Sequence, residues 1–134
     1  MRAMGLDIGD VRIGVALSDP MRIIASPFET YTRKGFDRDV AYILQLAEEN
    51  SVTDIACGLP LTLAGKDSLQ TAKARKFADA LRQSFSGRLH LIDERLTTAS
   101  ASRTLIEGGV RRENRKAHVD KLAAALILRT YLGV

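Results

Sequence analysis

Three carboxylates stand where predicted strands or helices end or begin. Asp7 ends the apolar stretch 2–7, Glu94 directly follows the stretch 88–93, and Asp120 lies at the start of the last predicted helix. A carboxylate in the centre of a sheet is costly unless it is paired or binds a metal. If the fold brings the three together, their mutual repulsion calls for divalent cations, and oxygen-only ligands suit Mg²⁺ or Mn²⁺. Two-metal nucleases use such a cluster to activate water and to stabilise the leaving oxygen of a phosphodiester.

Each of these acids also has an ordinary structural explanation when it is taken alone. Asp7 lies two residues before a glycine, which is typical of a turn residue in a hairpin. Glu94 and its neighbour Asp93 are typical of a solvated loop in which an acid pairs with Arg95. Asp120 falls in the first turn of a helix, where the helix dipole favours an acid. Only the set of three, and not any one member, points to metal-dependent chemistry.

Basic side chains are most concentrated just before the last predicted helix. The stretch 111–121 contains five lysines or arginines, one histidine and two acids. A run of charge is usually a solvated loop, but this one leads directly into Asp120, so we expect it to hold the phosphates of a nucleic acid. The predicted nucleic-acid contacts are Arg12, Arg95, Arg111, Arg112, Arg115, Lys116 and His118, with Arg33 and Lys34 as further candidates near the acids.

Apolar periodicity predicts the elements that must position these side chains. Three strands are predicted first, at 2–7, 12–18 and 21–26. A helix capped by Asp37 and closed by Asn50 follows, and then a strand at 52–57, a helix from Ser68 to Gly87 and a strand at 88–93. Two helices complete the order, one capped by Thr97 or Thr98 and stopped by Gly108 and Gly109, and a last one beginning near Val119. The order βββ-α-β-α-β-α-α predicts an α/β fold with a mixed sheet, in which three antiparallel strands are followed by parallel strands and flanked by helices.

The composition predicts one globular domain over residues 1–134. Hydrophobic residues make up 46% and charged residues 27% of the chain, a balance that excludes a disordered tail. A single cysteine excludes an intramolecular disulfide, and no apolar run approaches the roughly 20 residues of a membrane span. The amino terminus lacks the apolar core of a signal peptide. We therefore expect a cytoplasmic protein with no membrane partner, and the net charge of +4 permits a nucleic-acid partner without requiring one.

Other chemistries find little support in the sequence. Cys57, His90 and His118 lie far apart in unlike elements, so no zinc spacing is present. The apolar strand around Cys57 predicts a buried structural thiol and not a nucleophile. His90 alternates within a strand and is expected to be structural.

Four stretches, taken together, resemble a known family. They are 5–9 (GLDIG) running into 12–19 (RIGVALSD), 58–61 (GLPL), 93–98 (DERLTT) and 119–132, which begins VDKLAA. In this order and spacing they resemble the YqgF family, also called RuvX-like. The resemblance implies an RNase H-like fold and a divalent-metal nuclease acting on structured DNA or RNA, in Holliday junction resolution or in maturing the 5′ end of 16S ribosomal RNA from its precursor. Carried over by position, it assigns Asp7, Glu94 and Asp120 as the catalytic, metal-binding carboxylates.

Two other functions stay open at this point. The stretch 7–19 also resembles the phosphate-binding hairpin of the actin and hexokinase class of ATPases, although those enzymes close two such domains around the nucleotide and this chain supplies one. A module that binds nucleic acid without cleaving it is the second alternative, and metal-independent binding without cleavage would identify it. Cleavage of both strands of a junction would call for a symmetric homodimer, although the sequence shows no mark of a dimer interface.

The basic stretch is expected to contribute affinity and not chemistry. Replacing Arg111, Arg112, Arg115 and Lys116 with alanine should weaken nucleic-acid binding and flatten its dependence on salt. Each lost phosphate contact should reduce the slope of log K against log salt concentration by roughly 0.7–0.9. Binding titrations at several salt concentrations measure this slope, and an unchanged slope would mean that the stretch is ordinary solvated surface.

Overall fold

Five strands form one mixed sheet at the centre of the fold. The computed structural model describes residues 1–97 and 112–134, with side chains in the second range from residue 120 onward. The strands are β1 (Arg2–Ile8), β2 (Arg12–Ser18), β3 (Ala25–Thr32), β4 (Val52–Leu59) and β5 (Arg88–Asp93). Their order across the sheet is β3-β2-β1-β4-β5, with β1–β2 and β2–β3 antiparallel and β1–β4 and β4–β5 parallel. The predicted α/β class, the mixed sheet and the β1–β2 hairpin are confirmed.

Helices cover both faces of this sheet. In chain order they are α1 (Phe36–Glu49), α2 (Leu69–Ser84), a single 3₁₀ turn (Glu94–Leu96) and α3 (Arg112–Leu132). Helices α1 and α2 pack with the large apolar residues of the sheet, and α3 packs on the opposite face. None of the helices in the described residues is long and apolar enough to cross a membrane.

Strands β1 and β2 separate large from small side chains because successive residues point to opposite faces. The buried residues facing α1 and α2 are Met4, Leu6, Ile8, Ile13, Val15 and Leu17. On the other face, Ala3 and Ala16 pack with Ala124 and Leu128 of α3. The small residues that alternate along 12–18 therefore have a structural purpose, since they let a helix approach this face closely.

The third strand was predicted at 21–26 and is instead Ala25–Thr32. The apolar residues before it belong to a turn, in which Oδ1 of Asp19 accepts hydrogen bonds from the backbone N–H groups of Ile23 and Ile24, both at 2.8 Å. Pro27, expected to end the strand, lies inside it. Proline is tolerated there because β3 is an edge strand with a register shift opposite Val15 and Ala16.

The last helix begins at Arg112 and not near Val119. The prediction was wrong because the stretch 112–118 lacks apolar periodicity, while its arginine, glutamate, lysine and alanine residues are good helix formers. The described part of the basic run, 112–121, is therefore the first part of α3 and not a loop. The helix predicted to start at Thr97 or Thr98 lies largely outside the described residues, and Thr97 itself follows the 3₁₀ turn.

Helix α1 begins after Gly35 and not at Asp37, which lies within the first turn. The acid that organises this end is Asp39, whose side chain is almost fully buried. It accepts hydrogen bonds from the Tyr31 hydroxyl (2.9 Å), Arg33 Nε (2.8 Å) and the Lys34 backbone N–H (2.9 Å). Asn50 does cap the other end of α1. Ser68 begins α2 as predicted, although that helix ends at Ser84 and not at Gly87.

A polar cluster near the start of β4 ties together β4, β5, α3 and the turn before β3. The Asp54 carboxylate contacts Arg22, His90 (3.2 Å) and the Tyr131 hydroxyl (3.3 Å). Burial opposes ionisation of Asp54, but hydrogen bonds from Arg22, His90 and Thr53 outweigh it and lower the pKa of the carboxyl to about 2. The expectation that His90 is structural agrees with these contacts.

Asp54→Asn should lower the free energy of unfolding at neutral pH by roughly 2 kcal/mol. Because the folded-state pKa lies below the ordinary 3.8, the stabilisation is complete above pH 4 and is lost as the pH falls toward 2. Urea unfolding of wild type and variant between pH 7 and pH 2 measures the difference. Asp79→Asn, at an exposed acid paired with Arg82 within α2, is the control and should change stability little. A constant gap between wild type and Asp54→Asn across this range would contradict the prediction.

Candidate active site

Asp7 lies near the end of β1, the central strand of the sheet. Its residue partner across the hairpin is Gly14 of β2. Asp7 shares a face with Gly5, where an added Cβ would lie 2.5 Å from the backbone oxygen of Ala124 and 2.8 Å from Cβ of Leu128. The half-buried Asp7 side chain therefore points to the face that α3 covers. Asp7 belongs to the strand and is more than a turn residue.

Asp120 is held beside Asp7 by the close contact of α3 with Gly14. A Cβ at Gly14 would overlap the backbone carbonyl of Asp120, so the helix backbone rests directly on β2 at this residue. Because Asp7 and Gly14 are paired across the two strands, Asp120 lies on the same face as Asp7 and next to it.

Glu94 reaches the same face from the turn after β5. A Cβ at Gly58 would lie 3.0 Å from Glu94 Oε2 and 2.5 Å from Cδ1 of Ile127 on α3. Gly58 follows Cys57, which pairs with Leu6 of β1, so the glycine lies alongside Asp7. The strand predicted at 52–57 leaves Gly58 out, but β4 continues to Leu59 and Gly58 is the β4 residue that leaves room for the Glu94 carboxylate.

The three predicted acids therefore lie on one face of the sheet, beside the carboxyl ends of β1 and β4. Among residues 1–97 and 120–134, no three His, Cys, Asp or Glu side chains are grouped closely enough to hold a metal ion. The chemistry of the donors nevertheless fits Mg²⁺ or Mn²⁺, because all three offer hard carboxylate oxygens and none offers nitrogen or sulfur.

Arg12 was predicted to contact nucleic acid, and in the structure it pairs with Asp120. Its Nε donates to Asp120 Oδ2 at 2.9 Å, with 29% of the arginine and 24% of the aspartate side chain exposed. The two residues are 108 positions apart in the chain, so no local pattern could have revealed the pair. One of the three acids thus already has a cation in contact.

Arg95 binds Asp93, the residue before Glu94. Its Nε and Nη2 donate to the Asp93 carboxylate, the shortest contact being 2.6 Å, and its backbone N–H donates to the same carboxylate. These hydrogen bonds lower the pKa of Asp93. Arg95 Nη1 also donates to the Leu63 carbonyl at 3.4 Å, and the guanidinium rests on Gly65. The Asp93 carboxylate therefore contacts Arg95, whereas the Glu94 carboxylate lies near Gly58, and Arg95 also contacts the loop after β4.

Some of the other residues singled out in the sequence lie on α3, and others support the fold. The first half of α3 contains four of the predicted nucleic-acid contacts, Arg112, Arg115, Lys116 and His118. Arg111 is outside the described residues. Arg33 was considered as a phosphate contact, but its guanidinium pairs with Asp39 and donates to the Gly9 carbonyl at 2.9 Å. Cys57 is fully buried, and burial raises the pKa of its thiol to about 12, as expected of an unreactive structural cysteine.

Comparison with known proteins places the chain in a family. The sequence model described as RuvX, Holliday junction resolvase, matches residues 1–133. The chain belongs to the RuvX family. Several relatives carry the provisional name pre-16S rRNA nuclease. One of them, from Lachnospira eligens, is 45% identical over 98% of this chain and 96% of its own length. Another, from Clostridium acetobutylicum, is 39% identical over 99% of this chain and 98% of its own length.

Solved structures confirm the RNase H-like fold expected of a RuvX chain. Thermus thermophilus RuvC in complex with a Holliday junction substrate superimposes with a TM-score of 0.61 over 98% of this chain and 94% of that one, at 16% identity. The fowlpox virus Holliday junction resolvase gives a TM-score of 0.57 over 99% of both chains, at 15% identity. The YqgF resemblance seen in the sequence is thereby confirmed at the level of family and fold.

Gly14→Ala should destabilise the protein by about 1–3 kcal/mol, the usual cost of overpacking, because the new methyl group meets backbone and not a flexible side chain. Urea unfolding measures the loss. Thr32→Ala, at an exposed position of the neighbouring strand β3, is the control and should stay within about 0.5 kcal/mol. Wild-type stability of Gly14→Ala would show that α3 does not rest on β2 at Asp120.

Proposed function

We propose that this RuvX-family chain is a divalent-metal-dependent nuclease that hydrolyses phosphodiester bonds in structured nucleic acid. Asp7, Glu94 and Asp120 are its catalytic carboxylates and metal ligands, and Mg²⁺ or Mn²⁺ is its cofactor. The observation that carries the proposal is the approach of these acids to one face from three elements, over Gly14 and Gly58. Three half-buried carboxylates in one region call for a cation, because like charges in proximity raise the cost of ionisation.

The fold fixes each carboxylate by a different device. Asp7 is held by the central strand, which is hydrogen-bonded to a strand on either side. Glu94 is held by its 3₁₀ turn. The Asp93 side chain caps this turn, and a hydrogen bond from the Thr97 N–H to the Glu94 carbonyl, at 3.1 Å, closes it. Asp120 is held by the helix backbone on Gly14. Such preorganisation lets the acids hold and orient the reacting groups without rearranging the scaffold.

A bound Mg²⁺ or Mn²⁺ would supply an activated water and would neutralise charge on the phosphate. The acids would hold the cation, and the basic residues would hold the nucleic acid. Among the predicted contacts, Arg112, Arg115, Lys116 and His118 precede Asp120 on the same helix, so phosphate binding there would bring the substrate backbone toward the acids. Arg12 and Arg95 lie at the edge of the same region.

For the physiological reaction we propose 5′-end processing of precursor 16S ribosomal RNA, Holliday junction resolution, or both. The names borne by the relatives support the first. The family description and the RuvC complex support the second. The proposal further includes a single nuclease domain over residues 1–134, a cytoplasmic location and, where two strands of a junction are cut, a homodimer.

Asp7→Asn should abolish cleavage while leaving nucleic-acid affinity within a few-fold of wild type. The amide keeps the shape of the carboxylate but is a poor ligand for a hard cation. Asp10→Asn is a matched control, since Asp10 lies in the same hairpin, is exposed and pairs with Lys73 at the surface, at 3.1 Å. The control should retain wild-type turnover. Cleavage assays with Mg²⁺, Mn²⁺ or chelator, run beside binding titrations, measure both effects.

The substrates for this test are a four-way DNA junction, a ribosomal RNA precursor and plain DNA and RNA duplexes. Cleavage of the precursor or the junction alone identifies the physiological class. Wild-type turnover by Asp7→Asn would remove Asp7 from the catalytic site. Binding without cleavage of any substrate, unaffected by metal, would favour the non-catalytic module.

A further inference from the structure

The ion pair between Arg12 and Asp120 joins the start of β2 to α3 at the edge of the acid site. Arg12 lies two residues before Gly14 on β2, so its side chain leaves the sheet on the α3 face, as that of Asp7 does. The backbone carbonyl of Arg12 accepts a hydrogen bond from the Gly9 N–H at 2.9 Å, which fixes the base of the side chain. The guanidinium is thereby delivered to Asp120 from the same hairpin that carries Asp7.

We propose that Arg12 is a displaceable counter-cation of the acid site. In the metal-free protein its guanidinium neutralises Asp120. When a divalent cation binds, it takes over the Asp120 carboxylate and the Arg12 guanidinium leaves it. This inference rests on the proposed metal-dependent nuclease and adds to it a residue that responds to the metal.

The form of the contact suits exchange. The bond joins one donor, Nε, to one oxygen, Oδ2, and both side chains remain about a quarter exposed. Pairs of this kind contribute little to stability because solvent screens them. Arg95 provides the contrast, since it holds Asp93 through Nε, Nη2 and its backbone N–H. A single, partly solvated hydrogen bond is a contact that a divalent ion can replace.

Charge balance gives the exchange its physical reason. Without a cation, an ionised Asp120 would add to the repulsion between carboxylates on this face. With both a guanidinium and a divalent cation against the same carboxylate, the two positive charges would repel each other. The guanidinium offsets one of the three negative charges in the metal-free protein, whereas a divalent cation would offset two, so the Arg12 contact is no longer needed once the cation binds. Competition for one carboxylate links the two equilibria reciprocally.

Removing the guanidinium should therefore strengthen metal binding. Arg12→Gln is expected to bind Mn²⁺ about two- to fivefold more tightly than wild type, since it removes the competitor for Asp120. Arg12→Lys keeps the charge and should fall between the two. Lys73→Gln is the control for loss of one positive charge at the same end of the sheet, because Lys73 pairs with Asp10 and not with Asp120. It should change Mn²⁺ affinity by less than Arg12→Gln does. Calorimetric titration with MnCl₂ measures all four proteins, and thermal unfolding verifies that each is folded.

A second measurement follows the guanidinium itself in the wild-type protein. The side-chain Nε–H resonance of Arg12 should shift on titration with MgCl₂, with the same saturation point as metal binding measured by calorimetry. In Asp7→Asn, where the metal ligand set is broken, the same titration should leave the resonance in place.

The outcomes separate this inference from the proposed function. If wild type binds Mn²⁺ and cleaves nucleic acid, but Arg12→Gln binds the metal no more tightly and the Arg12 resonance does not move, the counter-cation is overturned while the nuclease stands. Weaker Mn²⁺ binding by a folded Arg12→Gln would also overturn it, since Arg12 would then organise the site. Failure of wild type to bind either ion would overturn both.

Discussion

The structure depends on how closely α3 approaches the sheet. The face of β1 and β2 that meets this helix carries alanine or glycine at the contact, namely Ala3, Gly5, Gly14 and Ala16. Backbone atoms of the helix therefore contact backbone atoms of the strands. A larger residue at Gly14 would lift the helix and carry Asp120 with it. The same strands hold large apolar residues on the other face, where side chains and not backbones fill the space.

This close approach explains how a carboxylate on the central strand can share a region with two others. Asp7 extends from a position where its neighbours are glycines, Gly14 on one side and Gly58 on the other. Each glycine leaves room for an acid from another element. Polar groups are thereby accommodated at the end of a buried strand, and the cost of burying their charge is limited by their partial exposure and by Arg12.

Strict alternation made part of this fold predictable. β2 and β5 were predicted at their observed bounds, and β1 to within one residue, because large apolar residues recur at alternate positions in each of them. β3 was misplaced for two reasons. The apolar residues before it, such as Ile23 and Ile24, are 61% exposed in a turn, and a proline normally predicts the end of a strand although an edge strand can contain one. The position of the acids at element ends could be predicted, but the pairing of Arg12 with Asp120 and the burial of Asp39 depend on tertiary contacts that leave no periodic signal.

The bulged edge strand β3 has a consequence for how the protein behaves at high concentration. Exposed edges with apolar neighbours are templates on which other chains can add strands, and Phe28 is 46% exposed on this edge. Pro27 supplies no N–H there, and the shift in register between Val15 and Ala16 interrupts the regular ladder. A second chain laid along β3 would meet a missing donor and a break in spacing within a few residues. The irregularity that hides this strand from sequence patterns thus protects the sheet from growing into aggregates.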